Sequence, residues 1–367
     1  MHAARSAASL SAVAVVLHAL GVLLCRSPTS FLQGAISSCW GARARLRGRS
    51  NGGSAARLKV SHAAVADWRG ALPETVEITS KRNGAYKQLL RLCMRQGRRK
   101  ARRFLAEGEK FLRMRPRTVF VRRSRWAEAG KEIASALAGG GEEGPGALLE
   151  TSPLAWGDGP LADSGAANVA PGLAILADDL FDRVSTQEKS QGVLCAFALP
   201  EDHEAAESRQ AVEGARVVVL DGVEDPNNLG VILRTMEAFT APTLILMKGS
   251  VDVYNAKVVR CSMGACVRGR IRVFEVACPE ELRDILRGYR IFATAAGAGI
   301  DCGRPGALAA RLSGRDAFVF GSEARGVSEE VLALADERVG IAMAPGVDSL
   351  NVGVAAGIVL HSAIAGE

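Results

Sequence analysis

A polar quartet near the end of the chain has the residue types and the setting of a ligand site. The apolar segment 339–343 runs into a Pro-Gly turn, and the quartet 348–351 (Asp-Ser-Leu-Asn) then opens the apolar run 352–365. Ser349 or Asn351 could cap a helix there. A strand, a tight turn and a buried helix start would gather main-chain N–H and C=O groups around a small polar cofactor. An ordinary strand–helix corner would give the same pattern, so this stretch alone leaves both interpretations open.

Two upstream stretches place further polar side chains behind apolar runs. Residues 216–235 (RVVVLDGVEDPNNLGVILRT) carry Asn228 and Arg234, and residues 316–328 (DAFVFGSEARGVS) carry Glu323. Because a guanidinium stays protonated, Arg234 is suited to stabilise negative charge that develops during a reaction. Asn228 alone would more often mark a turn and a helix cap, and Glu323 alone would usually be a cap.

In order and spacing, these three stretches resemble the three motifs of the SpoU (TrmH-like) branch of the SPOUT methyltransferases, which modify the ribose 2′-oxygen of RNA. The matching positions are Asn228, Gly230 and Arg234, then Gly321, Ser322, Glu323 and Gly326, then Ser349, Leu350 and Asn351. The resemblance implies an α/β fold in which residues 214–367 form a C-terminal SPOUT domain with a parallel sheet and a deep trefoil knot. Knots are rare among protein folds, and nothing in hydrophobic periodicity predicts one.

The same resemblance implies methyl transfer from S-adenosylmethionine to a ribose 2′-hydroxyl. Arg234 matches the catalytic arginine of the family, which would stabilise the developing alkoxide and hold the adjacent phosphate. Asn228, Glu323 and Asn351 would complete the catalytic set, and Gly230 would let the substrate approach the backbone. The residues expected to hold the cofactor are Gly321, Ile341, Met343, Ser349 and Leu350. Since the family acts as a homodimer, a homodimer is expected for this chain.

From residue 216 onward, short apolar runs alternate with helical patterns, which predicts a parallel sheet covered by helices on both faces. Strands are predicted at 217–220, 243–246, 271–274, 290–293, 317–320 and 338–341, and helices at 230–239, 255–261, 279–287, 328–335 and 352–365. A Rossmann-like dehydrogenase would show the same alternation, with Asp221 as its ribose-binding acid. No GxGxxG follows the first strand, which counts against that alternative.

Residues 76–200 are predicted to form a smaller α/β domain that contains a Gly- and Pro-rich insertion at 138–170. Residues 78–80 (Ile-Thr-Ser) could cap its first helix. The segments 97–108 and 187–193 resemble the opening and closing parts of the L30e-like substrate-binding domain that precedes many SpoU catalytic domains. The resemblance therefore implies that this smaller domain binds RNA.

Positive charge is concentrated in one tract of this smaller domain. Residues 81–125 contain 17 Lys and Arg residues but only two acids, Glu107 and Glu109, whereas the net charge of the whole chain is +7. Lys and Arg neutralise phosphates and release counterions, so this density favours an RNA partner over a merely solvated helix face. The residues expected to bind RNA are Arg98, Arg99, Lys100, Arg102 and Arg103.

The first 66 residues contain eight Lys and Arg residues and no acid. An apolar core at 7–25, small residues, Phe31 and a basic tract follow one another, which is the order of a signal-like and transit-like leader. This order is similar to the two-part presequences of algae with secondary plastids. We expect import into an organelle, a plastid in preference to a mitochondrion. Because the apolar core is interrupted by polar residues, we expect no stable membrane insertion of the mature protein.

The sequence thus predicts an S-adenosylmethionine-dependent RNA 2′-O-ribose methyltransferase that acts on organellar rRNA. A tRNA 2′-O-methyltransferase is the alternative within this class, and the extra N-terminal domain favours rRNA. The alternative from another class is a non-catalytic RNA-binding factor of ribosome assembly, against which the complete catalytic set argues. The eight cysteines contain no CxxC pair, so neither a zinc site nor a disulfide framework is expected.

Overall fold

The structure is a computed structural model, whose description covers residues 72, 75–114, 116–138, 154–155, 169–170, 172–200, 212, 214–295 and 299–364. The expected leader, residues 1–66, and most of the insertion at 138–170 lie outside these residues. From residue 72 onward, the described residues belong to one compact unit that contains two larger sheets.

The N-terminal part of this unit is built on a five-stranded mixed sheet. The strands of this part are β1 (Thr75–Ile78), β2 (Arg103–Glu107), β3 (Thr118–Arg122), β4 (Leu154–Ala155), β5 (Val169–Ala170), β6 (Leu173–Leu176) and β7 (Val193–Ala198). The order in the sheet is β1–β6–β3–β7–β2, in which β7 alone runs antiparallel to its neighbours, while β4 and β5 pair with each other. The helices are α1 (Gly84–Leu92), α2 (Arg95–Ala101), α3 (Trp126–Ala138) and α4 (Asp178–Asp182).

Helix α1 begins one turn later than the predicted cap at 78–80. Asn83 is the N-cap, since its side-chain oxygen accepts a hydrogen bond from the Tyr86 N–H at 3.2 Å. The Ser80 hydroxyl instead accepts from the Arg82 N–H at 3.2 Å and closes a turn before the helix. Serine and asparagine can both satisfy a free N–H at a helix start, and the turn after Ser80 places Asn83 at the first turn instead, so the predicted cap at 78–80 is wrong.

The C-terminal part is built on a seven-stranded sheet in which every pair is parallel, so the predicted parallel sheet is confirmed. Its strands are β8 (Arg216–Asp221), β9 (Thr243–Met247), β10 (Arg272–Val276), β11 (Arg290–Thr294), β12 (Ile300–Asp301), β13 (Asp316–Gly321) and β14 (Glu337–Gly340), in the order β10–β9–β8–β13–β11–β14–β12. Its helices are α5 (Pro226–Ala238), α6 (Ala256–Cys261), α7 (Pro279–Ile285), α8 (Glu329–Leu332) and α9 (Val352–Ile364).

Both faces of the seven-stranded sheet are buried, as its continuous apolar strands require. In β8, Val218 and Leu220 belong to one hydrophobic cluster, and Val217 and Val219 belong to another. Successive side chains of a strand point to opposite faces, so these two clusters lie on the two sides of the sheet. Strand β12 was not predicted, because two residues are too few to show a periodic pattern.

The two sheets share one hydrophobic cluster. Phe104 on β2 lies against Tyr254, which follows β9, with the ring centroids 4.7 Å apart and both side chains buried. The same cluster contains Phe111 from the N-terminal part together with Leu220 and Ile232 from the C-terminal part. The substrate-binding and catalytic regions predicted from the sequence therefore pack against each other directly in this structure.

Helix α5 begins at Pro226, four residues before the predicted start at Gly230. Asp225 caps it, because its carboxylate accepts from the Asn227 N–H at 2.9 Å, and proline is well suited to the first helical position. The sequence Asp-Pro-Asn is typical of a loop turn, but here it forms the N-cap and the first residues of the helix. Asn228 therefore lies inside the helix rather than in a loop before it.

Two segments approach α5 closely on different faces. A Cβ atom added at Gly230 would lie 2.4 Å from Cβ of Cys261, so the glycine lets the end of α6 reach the helix. The role expected for Gly230, close approach of substrate, is thus replaced by close approach of α6. On another face, a Cβ atom at Gly353 would lie 3.0 Å from Cγ1 of Val231, so α9 also approaches the helix closely.

In the part of the chain that the structure describes, no helix is long and apolar enough to cross a membrane. Within the same residues, no group of His, Cys, Asp and Glu side chains is arranged to hold a metal ion.

The first prediction concerns the packing of α5. Gly230→Ala should lower the free energy of unfolding by about 1–3 kcal/mol, because the new methyl group would overlap Cys261. Gly357→Ala is the matched control on α9, since its methyl group would meet only Cγ2 of Thr235 at 4.0 Å. Higher helix propensity should make this control more stable by about 0.5–1 kcal/mol. Urea unfolding monitored by circular dichroism measures both, and equal effects would contradict the packing described.

Candidate active site and RNA interface

The predicted polar residues gather at the carboxyl ends of the central strands β8 and β13, which lie side by side. This edge of a parallel α/β sheet is where ligands usually bind. Asp221 ends β8, and its carboxylate accepts from the N–H of Ser328 at 2.8 Å and from its hydroxyl at 2.7 Å. Asp221 therefore holds the start of α8 in place, and the ribose-binding role of the Rossmann alternative is not supported.

Asn228 connects the three predicted motifs. Its side-chain amide donates a hydrogen bond to Glu323, which comes from the second motif. Its side-chain oxygen accepts a hydrogen bond of 2.8 Å from the amide of Asn351, which comes from the third motif. The Asn228 side chain is 6% exposed, so both of its polar atoms are satisfied inside the protein. Three of the four predicted catalytic residues are thus in one hydrogen-bonded chain.

Asn351 has a second function, as the N-cap of α9. Its side-chain oxygen accepts from the Gly353 N–H at 2.9 Å and from the Val354 N–H at 3.3 Å. The sequence left Ser349 and Asn351 as alternative caps, and the structure selects Asn351. Because one side-chain amide both caps α9 and binds Asn228, the orientation of α9 is tied to the orientation of the predicted catalytic residues.

Glu323 is presented by a tight loop after β13. The main chains of Ser322 and Gly326 exchange two hydrogen bonds, of 3.1 and 2.9 Å, which close the loop around Glu323. A Cβ atom at Gly321 would lie 1.9 Å from the carbonyl carbon of Gly326, so only glycine fits before the loop. Gly326 itself has a φ of 70°, in the left-handed region that glycine adopts freely.

Arg234 lies on a different face of α5 from Asn228. Residues 227, 230, 234 and 237 share one face by helical spacing. On this face, Asn227 accepts from the Cys261 thiol at 3.3 Å, and Glu237 pairs with Arg268. Arg234 therefore faces the segment 261–268 and is half-buried. Among the described residues, no carboxylate pairs with Arg234, so its guanidinium remains available to an anionic substrate.

Four of the five expected cofactor residues lie in the loop between β14 and α9, and the fifth, Gly321, ends β13. Gly321 is buried at the end of β13, and Ile341 is half-buried, whereas Met343, Ser349 and Leu350 are exposed. Between residues 343 and 350, the described main chain makes one internal hydrogen bond, from the Val347 N–H to the Ala344 carbonyl at 3.2 Å. The other main-chain groups of this loop are thus open to a ligand, as main-chain recognition of a cofactor requires.

Arg98 is a correction to the predicted RNA-binding set. It is 5% exposed, and its guanidinium pairs with Asp252, with Nε 3.1 Å from the carboxylate. The same guanidinium donates to the carbonyls of Leu92 and Cys93 at 2.9 and 3.0 Å. A charge run suggests a solvated face, but this arginine is used inside the protein to join α2 to the segment after β9. It is not accessible to RNA in this structure.

The other predicted RNA-binding residues differ in their surroundings. Arg99 is exposed and pairs with Glu275 on β10, which Arg95 also binds at 2.7 Å through both carboxylate oxygens. Lys100 and Arg102 are exposed, and Arg103 is half-buried. Burial, together with the charge of Arg117, lowers the pKa of Arg103. Of the five basic residues predicted to bind RNA, only Arg99, Lys100 and Arg102 are therefore exposed.

Sequence reasoning missed Lys110 and Asp252. Lys110 was counted in the basic tract but not singled out, and its Nζ donates to the carbonyl of Arg260 at 3.2 Å. Asp252 pairs with Arg98 across 154 positions of sequence. Both contacts depend on how the two sheets pack, so no local pattern signals them.

Comparison with known proteins identifies the C-terminal segment. Residues 215–361 match the model of a family described as the SpoU rRNA Methylase family. An uncharacterized tRNA/rRNA methyltransferase of Mycobacterium tuberculosis is 35% identical over 187 residues, which are 50% of this chain and 62% of that protein. The Bacillus subtilis 23S rRNA (guanosine(2553)-2′-O)-methyltransferase RlmP is 26% identical over 190 residues, which are 51% of this chain and 70% of that protein. The chain spans about three fifths of the length of the mycobacterial relatives.

Solved structures share the fold. A TrmH-family RNA methyltransferase from Porphyromonas gingivalis is 26% identical and superposes with a TM-score of 0.53, covering 76% of this chain and 96% of that one. The SpoU methyltransferase AviRb from Streptomyces viridochromogenes, in complex with AdoMet, is 23% identical with a TM-score of 0.58, covering 77% of this chain and 97% of that one. The α/β architecture with a parallel sheet is therefore that of solved methyltransferases of this kind.

The second prediction tests the hydrogen bond between Asn228 and Glu323. Asn228→Asp should lower the free energy of unfolding by about 1–3 kcal/mol, because a second carboxylate replaces the buried donor. Adding Glu323→Gln should recover most of this loss, since the new amide at 323 can donate to the new carboxylate at 228. Urea unfolding of the two single variants and the double variant measures the coupling. Additive effects would show that the two side chains do not interact.

The third prediction separates Arg98 from its neighbour Lys100. Arg98→Gln should lower the free energy of unfolding by about 3–5 kcal/mol, because it leaves Asp252 buried without its partner. Lys100→Gln, at an exposed position of the same helix, should change stability by less than about 0.5 kcal/mol. Thermal and urea unfolding of both variants provide the measurement. If the two variants are equally stable, Arg98 does not hold the two sheets together.

Proposed function

Because residues 215–361 match the model of the SpoU rRNA Methylase family, we propose that this chain transfers a methyl group from S-adenosylmethionine to a ribose 2′-hydroxyl of RNA. The observation that carries this proposal is the hydrogen-bonded chain of Glu323, Asn228 and Asn351. These residues come from three separate segments and meet beside the helix that carries Arg234. An ordinary strand–helix corner without a ligand would not require polar side chains from three segments to meet at the carboxyl edge of the sheet.

The proposed cofactor site is the loop between β14 and α9 together with the end of β13. The main-chain groups between Met343 and Leu350 are open to a ligand, which supports recognition of adenine and ribose by Gly321, Ile341, Met343 and Leu350, with Ser349 beside them. When bound, S-adenosylmethionine supplies an activated methyl group on a sulfonium. The AdoMet complex of the similarly folded AviRb supports the choice of cofactor.

Arg234 is the proposed catalytic residue. In the part of the chain that is described, it has no carboxylate partner, so its positive charge is not already neutralised. It would stabilise the negative charge that develops on the 2′-oxygen as the methyl group is transferred. Since a guanidinium stays protonated, its role is electrostatic rather than that of a base. Asn228 and Asn351 would keep Glu323 oriented toward the reacting hydroxyl.

We propose rRNA as the substrate, with tRNA as the alternative. The RlmP relative is named as a 23S rRNA 2′-O-methyltransferase, which favours rRNA, whereas the mycobacterial relative is named for both RNA classes. Exposed Lys100 and Arg102 on the N-terminal part would contact the RNA backbone. The superposition on the Porphyromonas gingivalis structure covers 76% of this chain, whereas the family model matches only residues 215–361. The superposition therefore includes residues of the N-terminal part, which supports the proposal that this part is an L30e-like substrate-binding domain.

Three further features are proposals of the same kind. A homodimer is supported by apolar side chains exposed on one loop, Met343, Val347 and Leu350. We also propose a trefoil knot in the C-terminal part. Strand β14 lies between β11 and β12 in the sheet, although it follows both in sequence. The helix that follows β14 returns to the segment after β12, where the Ser362 hydroxyl donates to the Cys302 carbonyl at 2.8 Å. Import into a plastid, or alternatively a mitochondrion, rests on the composition of the leader.

The fourth prediction tests the proposed reaction. Wild-type protein incubated with tritiated S-adenosylmethionine and organellar rRNA should place label in an alkali-resistant dinucleotide, as 2′-O-methylation requires. Arg234→Lys should lower the rate by about 100-fold or more, because the ammonium cannot reproduce the planar, multidentate guanidinium. Arg283→Lys, at an exposed position on α7, is the matched control and should leave the rate unchanged.

Two outcomes would redirect the proposal. Label in tRNA but not in rRNA would make tRNA the substrate. Tight RNA binding without transfer to either RNA would support the non-catalytic assembly factor instead.

A further inference from the structure

Lys110 is fixed at the boundary between the two sheets. It belongs to the 3₁₀ segment Glu109–Met114, which follows β2 in the N-terminal part. Its Nζ donates to the carbonyl of Arg260 at 3.2 Å and lies 3.0 Å from Sδ of Met263, both in the C-terminal part. Its Nζ also lies 4.9 Å from the centroid of the Phe111 ring. An ammonium has three donors, so the two hydrogen bonds leave one N–H that is not hydrogen-bonded.

Positive charges surround Lys110. Burial is the largest of the effects that lower its pKa, and the charges of Arg260, Arg234 and Arg268 act in the same direction, whereas Cys261 acts against them. Arg268 is neutralised by its ion pair with Glu237. Among the described residues, Lys110, Arg234 and Arg260 have no carboxylate partner, and Lys110 contacts the main chain of Arg260 directly.

The direction of Arg234 agrees with this arrangement. It shares a face of α5 with Gly230 and Glu237, and both of these residues contact the segment 261–268. Lys110 contacts the beginning of this segment, through the carbonyl of Arg260 just before it and Sδ of Met263 within it. The N-terminal part therefore places the Lys110 ammonium against the segment that Arg234 faces.

We propose that Lys110, Arg234 and Arg260 form one phosphate-binding pocket, which holds the RNA phosphodiester next to the ribose that is methylated. The proposal rests on the proposed function and names Lys110 as its positioning residue. Like charges in a half-buried place repel one another unless an anion neutralises them. A phosphodiester supplies that anion and accepts the remaining Lys110 donor. The RNA would thus be correctly placed only when the two sheets are packed together.

The carboxylate of the cofactor is the other anion that could occupy this pocket, and the experiment must distinguish the two. The full-length protein is studied as wild type and with Lys110→Gln, Lys110→Arg, Arg260→Gln or Lys131→Gln. Lys131 is an exposed lysine on α3 and provides the matched control. Binding of a single-stranded oligouridylate is measured over a series of salt concentrations, and binding of S-adenosylmethionine is measured by calorimetry.

If a variant loses one contact with a phosphate of the oligouridylate, the plot of the logarithm of its RNA association constant against the logarithm of salt concentration should become less steep by about 0.7. We expect this reduction for Lys110→Gln and for Arg260→Gln, but not for Lys110→Arg or Lys131→Gln. The affinity for S-adenosylmethionine should be the same in all five proteins. In the methylation assay, Lys110→Gln should raise KM for RNA more than it lowers kcat.

An unchanged slope for Lys110→Gln and Arg260→Gln would overturn the proposal. A loss of cofactor affinity in these variants, with the slope unchanged, would assign the pocket to the cofactor carboxylate. If Lys110→Gln fails to fold, Arg260→Gln still decides the question, because the substitution keeps the main-chain carbonyl of residue 260 to which Lys110 donates. The binding measurements need no methyl transfer, so an inactive wild type would refute the proposed function while the slopes still test the pocket.

Discussion

The close approach of two segments to α5 is the constraint on which the site depends. The end of α6 reaches the helix only because residue 230 has no side chain, and α9 reaches another face only because residue 353 has none. These contacts leave Arg234 on the side of the helix that faces the segment 261–268, and they leave Asn228 beside the start of α9. A helix packed at ordinary distance on either side would move the predicted catalytic residues apart by the width of a methyl group or more.

The second constraint is the contact between the two sheets. Phe104 and Tyr254 supply its apolar part, and the buried pair of Arg98 and Asp252 supplies its polar part. Glu107 stabilises the N-terminal side of this contact, because it accepts hydrogen bonds of 2.6 Å from the hydroxyls of both Ser185 and Ser190. The segment after β2, which carries Lys110, therefore leaves a well-anchored strand end. The parts proposed to bind the substrate and to carry the reaction are thus joined by direct packing.

Local sequence predicted most of the catalytic fold and failed wherever tertiary contacts decide. The apolar runs at 217–220, 243–246 and 317–320 are strands, since a buried parallel strand needs nothing beyond its own sequence to be recognised. The residues that meet at Asn228 follow from the family motifs, and the role of the loop between β14 and α9 in binding the cofactor stays a prediction. Arg98 was misassigned because its partner lies 154 residues away, and Gly230 was misassigned because its neighbour Cys261 belongs to another helix. A dense run of charges or a glycine in a motif indicates that a position has a role, but it does not show which residues that position contacts.

The hydrogen-bonded chain around Asn228 has a consequence for translation. Its two bonds span 95 and 123 residues of sequence, so both partners are synthesised well after Asn228 itself. At typical elongation rates this interval lasts on the order of ten seconds. During that time the growing polypeptide already carries its whole basic tract but none of α9. If the basic tract binds RNA as proposed, a chain released in this interval would carry its RNA-binding residues without the hydrogen-bonded set that Asn228 joins.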